Sequence, residues 1–166
     1  SIGSKLISFD HISGVAFTGS SPTAKKINLQ LAKKNGPISS LIAETGGLNA
    51  MFIDSSSLHE QVVDDIMRSS FNSAGQRCSA LRLAIIHESI FDDLVKMIKD
   101  AMAELTVGNP EDFHCDVGPI IDERSRNMLL EYISECSNNG YQVFSHNQAP
   151  DGNFVSPTLI ELNSID

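Results

Sequence analysis

Turn residues cut this chain of 166 residues into strand-like and helix-like segments that alternate, and no other feature of the sequence constrains its fold as much. "SGVAFTGSSPTAKKINLQLAKKNG" reads as a strand over about residues 14 to 18, a turn at Gly19 and Ser20, then a helix with Pro22 in its first turn and Gly36 just past its end. "PISSLIAETGG" gives a second short strand that stops at paired glycines, and "NAMFID" a third. In "SLHEQVVDDIMRSSF", Ser57 with Glu60 three residues on has the form of a capping box, so a helix is expected to start at Ser57. "ALRLAII" reads as a buried strand, and the segment after it carries Phe91, Leu94, Ile98, Ala101 and Leu105 on one helical face. A further helix ends at Asn139-Gly140, "YQVF" is a strand, and "FVSPTLIEL" is extended with Pro157 disfavouring a central position. Strands alternating with helices of this length imply parallel βαβ units with right-handed crossovers, hence a three-layer α/β architecture with its sites at the carboxyl ends of strands.

Composition narrows the partner classes. With 12 Lys and Arg against 21 Asp and Glu, the formal charge is -9, whereas nucleic acids and anionic membranes call for basic patches. No apolar run approaches the roughly 20 residues of a membrane helix. A hydrophobic content of 41% and a charged content of 20% are those of a soluble globular protein, for which a small molecule or a protein is the fitting partner. Cys78, Cys115 and Cys136 are odd in number and lack CxxC spacing, which predicts reduced, cytosolic thiols and no zinc site. His11, His59, His87, His114 and His146 are scattered, and surface or structural roles are expected for each. The length allows one domain with a real core, or one small domain with part of another.

Three stretches could carry chemistry. In "FTGSS" a strand runs through Gly19 into a helix whose first turn offers backbone N–H groups beside Ser20 and Ser21, which suits a phosphate, although strand-Gly-Ser-helix is also an ordinary turn with an ordinary cap. In "LIAETGG" an apolar strand delivers Glu44, either as a general base made more basic by partial desolvation or as a solvated loop carboxylate. Gly46 and Gly47 after it would let another molecule approach the backbone. In "SSFNSAGQRCSAL" Cys78 lies between Arg77 and Arg82, cations that favour thiolate, although an unpaired cysteine is as often a buried filler.

In this order, FTGS, ETGG and FxxxGQxC resemble the aldehyde dehydrogenase superfamily, with Glu44 and Cys78 separated by 34 positions that hold a strand and a helix. "AETGGLNAM" and "SAGQRCSALR", continued by "VGNP", "DVGPIID" and "VSPTLIEL", are similar to its L-glutamate γ-semialdehyde (Δ1-pyrroline-5-carboxylate) dehydrogenase branch, as found in bifunctional bacterial proline utilisation A. The resemblance implies the parallel-sheet aldehyde dehydrogenase fold in part, with residues 1–44 ending an NAD-binding domain and residues 45–166 beginning the catalytic domain. It implies Cys78 as nucleophile, Glu44 as the base that activates water, Thr18, Gly19 and Ser20 at the pyrophosphate, Gly46 at the nicotinamide, and Ser79 at the substrate.

NAD is the implied cofactor; FAD would belong only to the proline dehydrogenase part of a bifunctional parent. An aldehyde is the implied substrate, and the parent is expected to be a cytoplasmic homo-oligomer. The family's oxyanion Asn and adenosine-binding Lys would lie upstream, and its ExFGPV run beyond Asp166, so the 166 residues alone are expected to be an inactive fragment. An acylating, CoA-using relative, an enzyme for another aldehyde and a non-catalytic domain of the same fold are the competing readings; Glu44 favours the hydrolytic route.

Overall fold

The structure is a computed structural model that describes residues 2–145 and 148–164; Ser1, Asp166 and His146, one of the five histidines, lie outside the described residues. The chain divides into two units, residues 1–47 and 48–166.

In the first unit, α1 (Ile2–Ile7) precedes β1 (Gly14–Thr18), α2 (Ser21–Ala32) and β2 (Ser40–Glu44). The two strands pair in parallel, from Gly14 opposite Ser40 to Thr18 opposite Glu44, with α2 as the crossover. Helix α2 starts where sequence chemistry asks: Ser20 is its N-cap, accepting from the Thr23 N–H at 3.4 Å, and Pro22 occupies its first turn. Ala24, Ile27 and Leu31 form its buried stripe. Helix α1 was not expected from the sequence, because none of its residues is buried and it has no apolar periodicity to read. It is tied to α2 by polar bonds, Gln30 Nε2 donating to Ser4 O at 2.6 Å and Ser4 Oγ donating to Gln30 Oε1 at 3.1 Å.

The second unit contains β3 (Asn49–Ile53), α3 (His59–Phe71), β4 (Leu81–Ile86), α4 (Phe91–Glu104), α5 (Glu123–Asn138), β5 (Gln142–Phe144) and β6 (Leu159–Glu161). Strands β3 and β4 are parallel around α3, a second βαβ unit. The core joins Ile53, Ile66 and Leu81 to Leu94, Ile98 and Met102 of α4. Each such side chain, once fully buried, contributes about 1.5–3 kcal/mol of transfer free energy.

Four expectations need correction. The capping box at Ser57 does not form: α3 starts after Leu58 with no side-chain cap, and Ser57 N–H instead closes a turn onto Asp54 O at 3.0 Å. The buried face of α4 is Leu94, Val95, Ile98 and Met102, with Phe91 and Ala101 only half-buried at its margin and Leu105 outside the helix as its C-cap. The stripe is rotated because the helix packs on the α3 side as well as on the strands. Strands β5 and β6 are antiparallel, Val143 opposite Ile160, so the last strands depart from the parallel pattern. Lastly, Cys78 does not follow the carboxyl end of a strand. It lies on the loop from α3 into the amino end of β4, because the chain enters β4 from a helix.

Candidate active site

The parallel register of the first unit sets two of the sequence candidates side by side. Thr18 and Glu44 are Cα partners at the ends of β1 and β2, and Gly19 N–H donates to Glu44 O at 3.0 Å. The turn Thr18–Gly19–Ser20, the start of α2 and Glu44 therefore share one edge of this sheet. A Cβ at Gly19 would lie 2.6 Å from the tip of the Phe17 ring, so any other residue there needs that ring to move. At Gly46 the reason is different: a Cβ would meet nothing within 4 Å, so this chain does not itself demand glycine, and the space beside the backbone is open. The Glu44 side chain is exposed, and the partial desolvation expected for it is not provided among the described residues.

In the second unit, the loop carrying Cys78 is built by backbone geometry that few residues adopt. After α3, Ser73, Ala74 and Gly75 have φ of 57°, 51° and 63°, a left-handed turn that reverses the chain at once. Gly75 is buried in that turn, and a Cβ on it would lie 2.7 Å from Ser70 O and 2.8 Å from Arg82 Nη1. Arg82 Nη2 donates to the Gly75 carbonyl, so one of the two cations expected to act on the thiol instead holds the backbone of its loop. A turn follows over residues 77–80, closed by Ala80 N–H to Arg77 O at 3.1 Å, with Cys78 and Ser79 at its two central positions.

Two side-chain amides fasten this loop, and their roles were not visible in the sequence. Asn49 Nδ2, at the start of β3, donates to Cys78 O at 2.7 Å and to Ala80 O at 2.9 Å. Gln76 donates from Nε2 to Pro119 O at 3.1 Å and to Ser73 O at 3.3 Å, while its Oε1 accepts from Ile121 N–H at 2.7 Å. The glutamine of FxxxGQxC was a signal for the latter; for Asn49 the only signal was its occurrence in a strand, where asparagine is disfavoured. The Cys78 thiol is exposed, and its backbone N–H has no partner among the described residues. Ser79 is exposed beside it.

The other thiols have different surroundings. Cys115 Sγ faces the carbonyls of Gly108 at 3.1 Å and Val117 at 3.4 Å, and Cys136 is buried on α5. Among the described residues no three His, Cys, Asp or Glu side chains gather to hold a metal ion, and no helix is long and apolar enough to cross a membrane.

The aldehyde dehydrogenase family model matches residues 1–164. Bifunctional protein PutA of Escherichia coli is 42% identical over 98% of this chain, which spans 13% of that protein's length. The 1-pyrroline-5-carboxylate dehydrogenase of Bacillus mycoides is 31% identical over 96% of this chain and 32% of its own. A crystal structure of a Bradyrhizobium japonicum proline utilization A mutant superposes with a TM-score of 0.93 at 44% identity, covering 98% of this chain and 17% of the other. With βαβ units in this order and a family match running nearly end to end, the chain belongs to the aldehyde dehydrogenase family.

Proposed function

We propose that this chain is the central part of an NAD-dependent dehydrogenase that oxidises L-glutamate γ-semialdehyde to L-glutamate in proline catabolism. The substrate class rests on the similarity to PutA and 1-pyrroline-5-carboxylate dehydrogenase. The observation that carries the chemistry is the exposed Cys78 thiol at the crest of a loop whose backbone is held from both flanks. In this reading residues 1–44 end the dinucleotide-binding domain and residues 45–166 open the catalytic domain, close to the division of the chain into units after residue 47.

The residues present fit the dinucleotide. Thr18, Gly19 and Ser20 lead into the amino end of α2, where the Ser20 and Ser21 N–H groups and the helix dipole favour a pyrophosphate, the Thr23 and Ala24 N–H groups being taken by Ser20. Gly46 leaves open space in which a flat ring could approach the backbone. NAD, when bound, supplies the two-electron acceptor. Cys78 Sγ, as thiolate, forms a bond to the aldehyde carbon while the carbonyl π pair moves onto oxygen. The Cys78 N–H, without a protein acceptor among the described residues, is available to donate to that oxyanion. Oxidation of the adduct leaves a thioester on Cys78. Glu44 then takes a proton from the water that cleaves it, releasing the carboxylic acid and restoring the thiol. Ser79 is assigned to the substrate. The whole protein is proposed to be a cytoplasmic homo-oligomer, with FAD only in a separate proline dehydrogenase part if it is bifunctional.

Site-resolved alkylation of Cys78, Cys115 and Cys136 at neutral pH, in native buffer and in denaturant, tests this reading. Cys78 is expected to react fastest, and only in the native state; equal rates for all three thiols would overturn the nucleophile assignment. The 166 residues by themselves are expected not to turn over, and steady NADH production from glutamate semialdehyde by this chain alone would refute that part.

A further inference from the structure

We propose that Asn49 is a positioning residue for the nucleophile: its side-chain amide sets the peptide plane that carries Cys78, and so the direction of the thiol. The inference rests on the reading of Cys78 as nucleophile given above.

A four-residue turn satisfies the carbonyl of its first residue and leaves those of the later ones to find partners. Here Arg77 O is taken by Ala80 N–H, while Cys78 O and Ala80 O both accept from one nitrogen, Asn49 Nδ2. Because both acceptors are carbonyls, only the NH2 end of the amide can face them, and its two N–H bonds diverge at a fixed angle. The two carbonyls are thus held in one relative orientation. Cys78 O belongs to the peptide that joins Cys78 to Ser79, so fixing it fixes ψ of Cys78 and with it the course of the chain through the nucleophile.

The strand register supports a local specialisation. Asn49 pairs with Leu81 but Ala50 pairs with Leu83, an irregularity that places Arg82 as the extra residue. Bulges of this kind re-aim side chains beside functional sites. Asn49 stands at this irregularity and bonds the loop, and Arg82, the extra residue, reaches back to Gly75 O, so both holds on the loop start from one irregular stretch. Asn49 touches no reacting atom itself; it acts through Cys78.

The test uses the full-length protein that carries this segment. Asn49→Ala is expected to lower kcat about a hundredfold, the usual cost of misplacing a reacting group by about an ångström, with KM changed by less than about threefold. Asn49→Asp, isosteric but presenting an acceptor to two carbonyls, is expected to lose at least as much at neutral pH and to recover part of its activity toward acid pH, as protonation restores a donor. Gln61→Ala removes an amide that, among the described residues, bonds only Asp65 on the exposed face of α3, and is expected to keep full activity. Should Asn49→Ala not fold, Asn49→Ser, which can donate to one carbonyl, is read against the same threshold. Near wild-type kcat in Asn49→Ala or its serine substitute, with Cys78→Ala inactive, overturns the positioning role alone. Full activity in Cys78→Ala overturns the nucleophile reading beneath it.

Discussion

Replacing Gly75 with alanine measures how far the thiol loop depends on a left-handed, crowded backbone position that disfavours any side chain. At φ of 63° an L side chain meets the neighbouring carbonyl, a cost of about 1–2 kcal/mol. The new Cβ would also lie 2.7 Å from Ser70 O, a backbone atom within α3, and 2.8 Å from the Arg82 guanidinium that holds the Gly75 carbonyl. Relieving such overpacking costs about a further 1–3 kcal/mol. The sum, about 2–5 kcal/mol, is a large share of the 5–15 kcal/mol that keeps a typical domain folded. With a urea m-value of about 2 kcal/mol/M, the midpoint followed by far-ultraviolet circular dichroism is expected to fall by about 1–2.5 M. Gly46→Ala is the internal contrast: its Cβ enters open space at an ordinary φ, and a shift of no more than about 1 kcal/mol is expected, with the sign set by the unfolded chain. Equal midpoints for Gly75→Ala and the parent chain would refute the steric argument, and with it the claim that the left-handed turn is what presents Cys78.

Leu94, with no exposed surface, packs in the largest core, and Leu94→Ala is expected to cost about 2–5 kcal/mol in the same titration; a loss below about 1 kcal/mol would mean the α4 face is packed otherwise. Ser20→Ala removes the N-cap of α2 and is expected to cost about 1 kcal/mol, while Ser20→Asn, which also caps, restores most of it. Asp122 caps α5, and hydrogen bonds from Ser125 hold its carboxyl below the ordinary value of 3.8. A depressed folded pKa stabilises above the unfolded value and is lost as pH falls through the folded one, so α5 is expected to loosen below about pH 3.8. Asp122→Asn keeps a cap without a titrating group, and its melting temperature should depend less on pH in that window; an unchanged pH dependence would refute the linkage.

Much of the fold was legible because local rules and tertiary needs agreed. β1, β2, β3 and β4 lie where short apolar runs ended at glycine or polar turns, and α5 stops at Gly140, whose φ of 86° allows Gly140 N–H and Tyr141 N–H to satisfy Ser137 O and Cys136 O. Rules failed where something nonlocal competed. Ser57 had the form of a cap, yet its N–H is engaged by Asp54 O and the helix starts two residues later. Helix α1 has no buried face to announce it. β6 runs antiparallel to β5, which no local pattern announced, and Lys99 of α4 bonds Glu161 of β6 beside the Phe144 ring of β5.

The sequence by itself determined the alternating βαβ order, and it singled out Cys78, Glu44 and the turn before α2 as candidates for chemistry, because each is written in residue type and short-range spacing. Only the tertiary structure decided that Glu44 and Gly19 meet at one sheet edge, that Arg82 serves the backbone instead of the thiol, and that Asn49, 29 residues before Cys78, holds the loop it sits on. These are contacts between distant segments, set by strand register and by the directions of carbonyl groups. Neither quantity leaves a trace in a run of neighbouring letters.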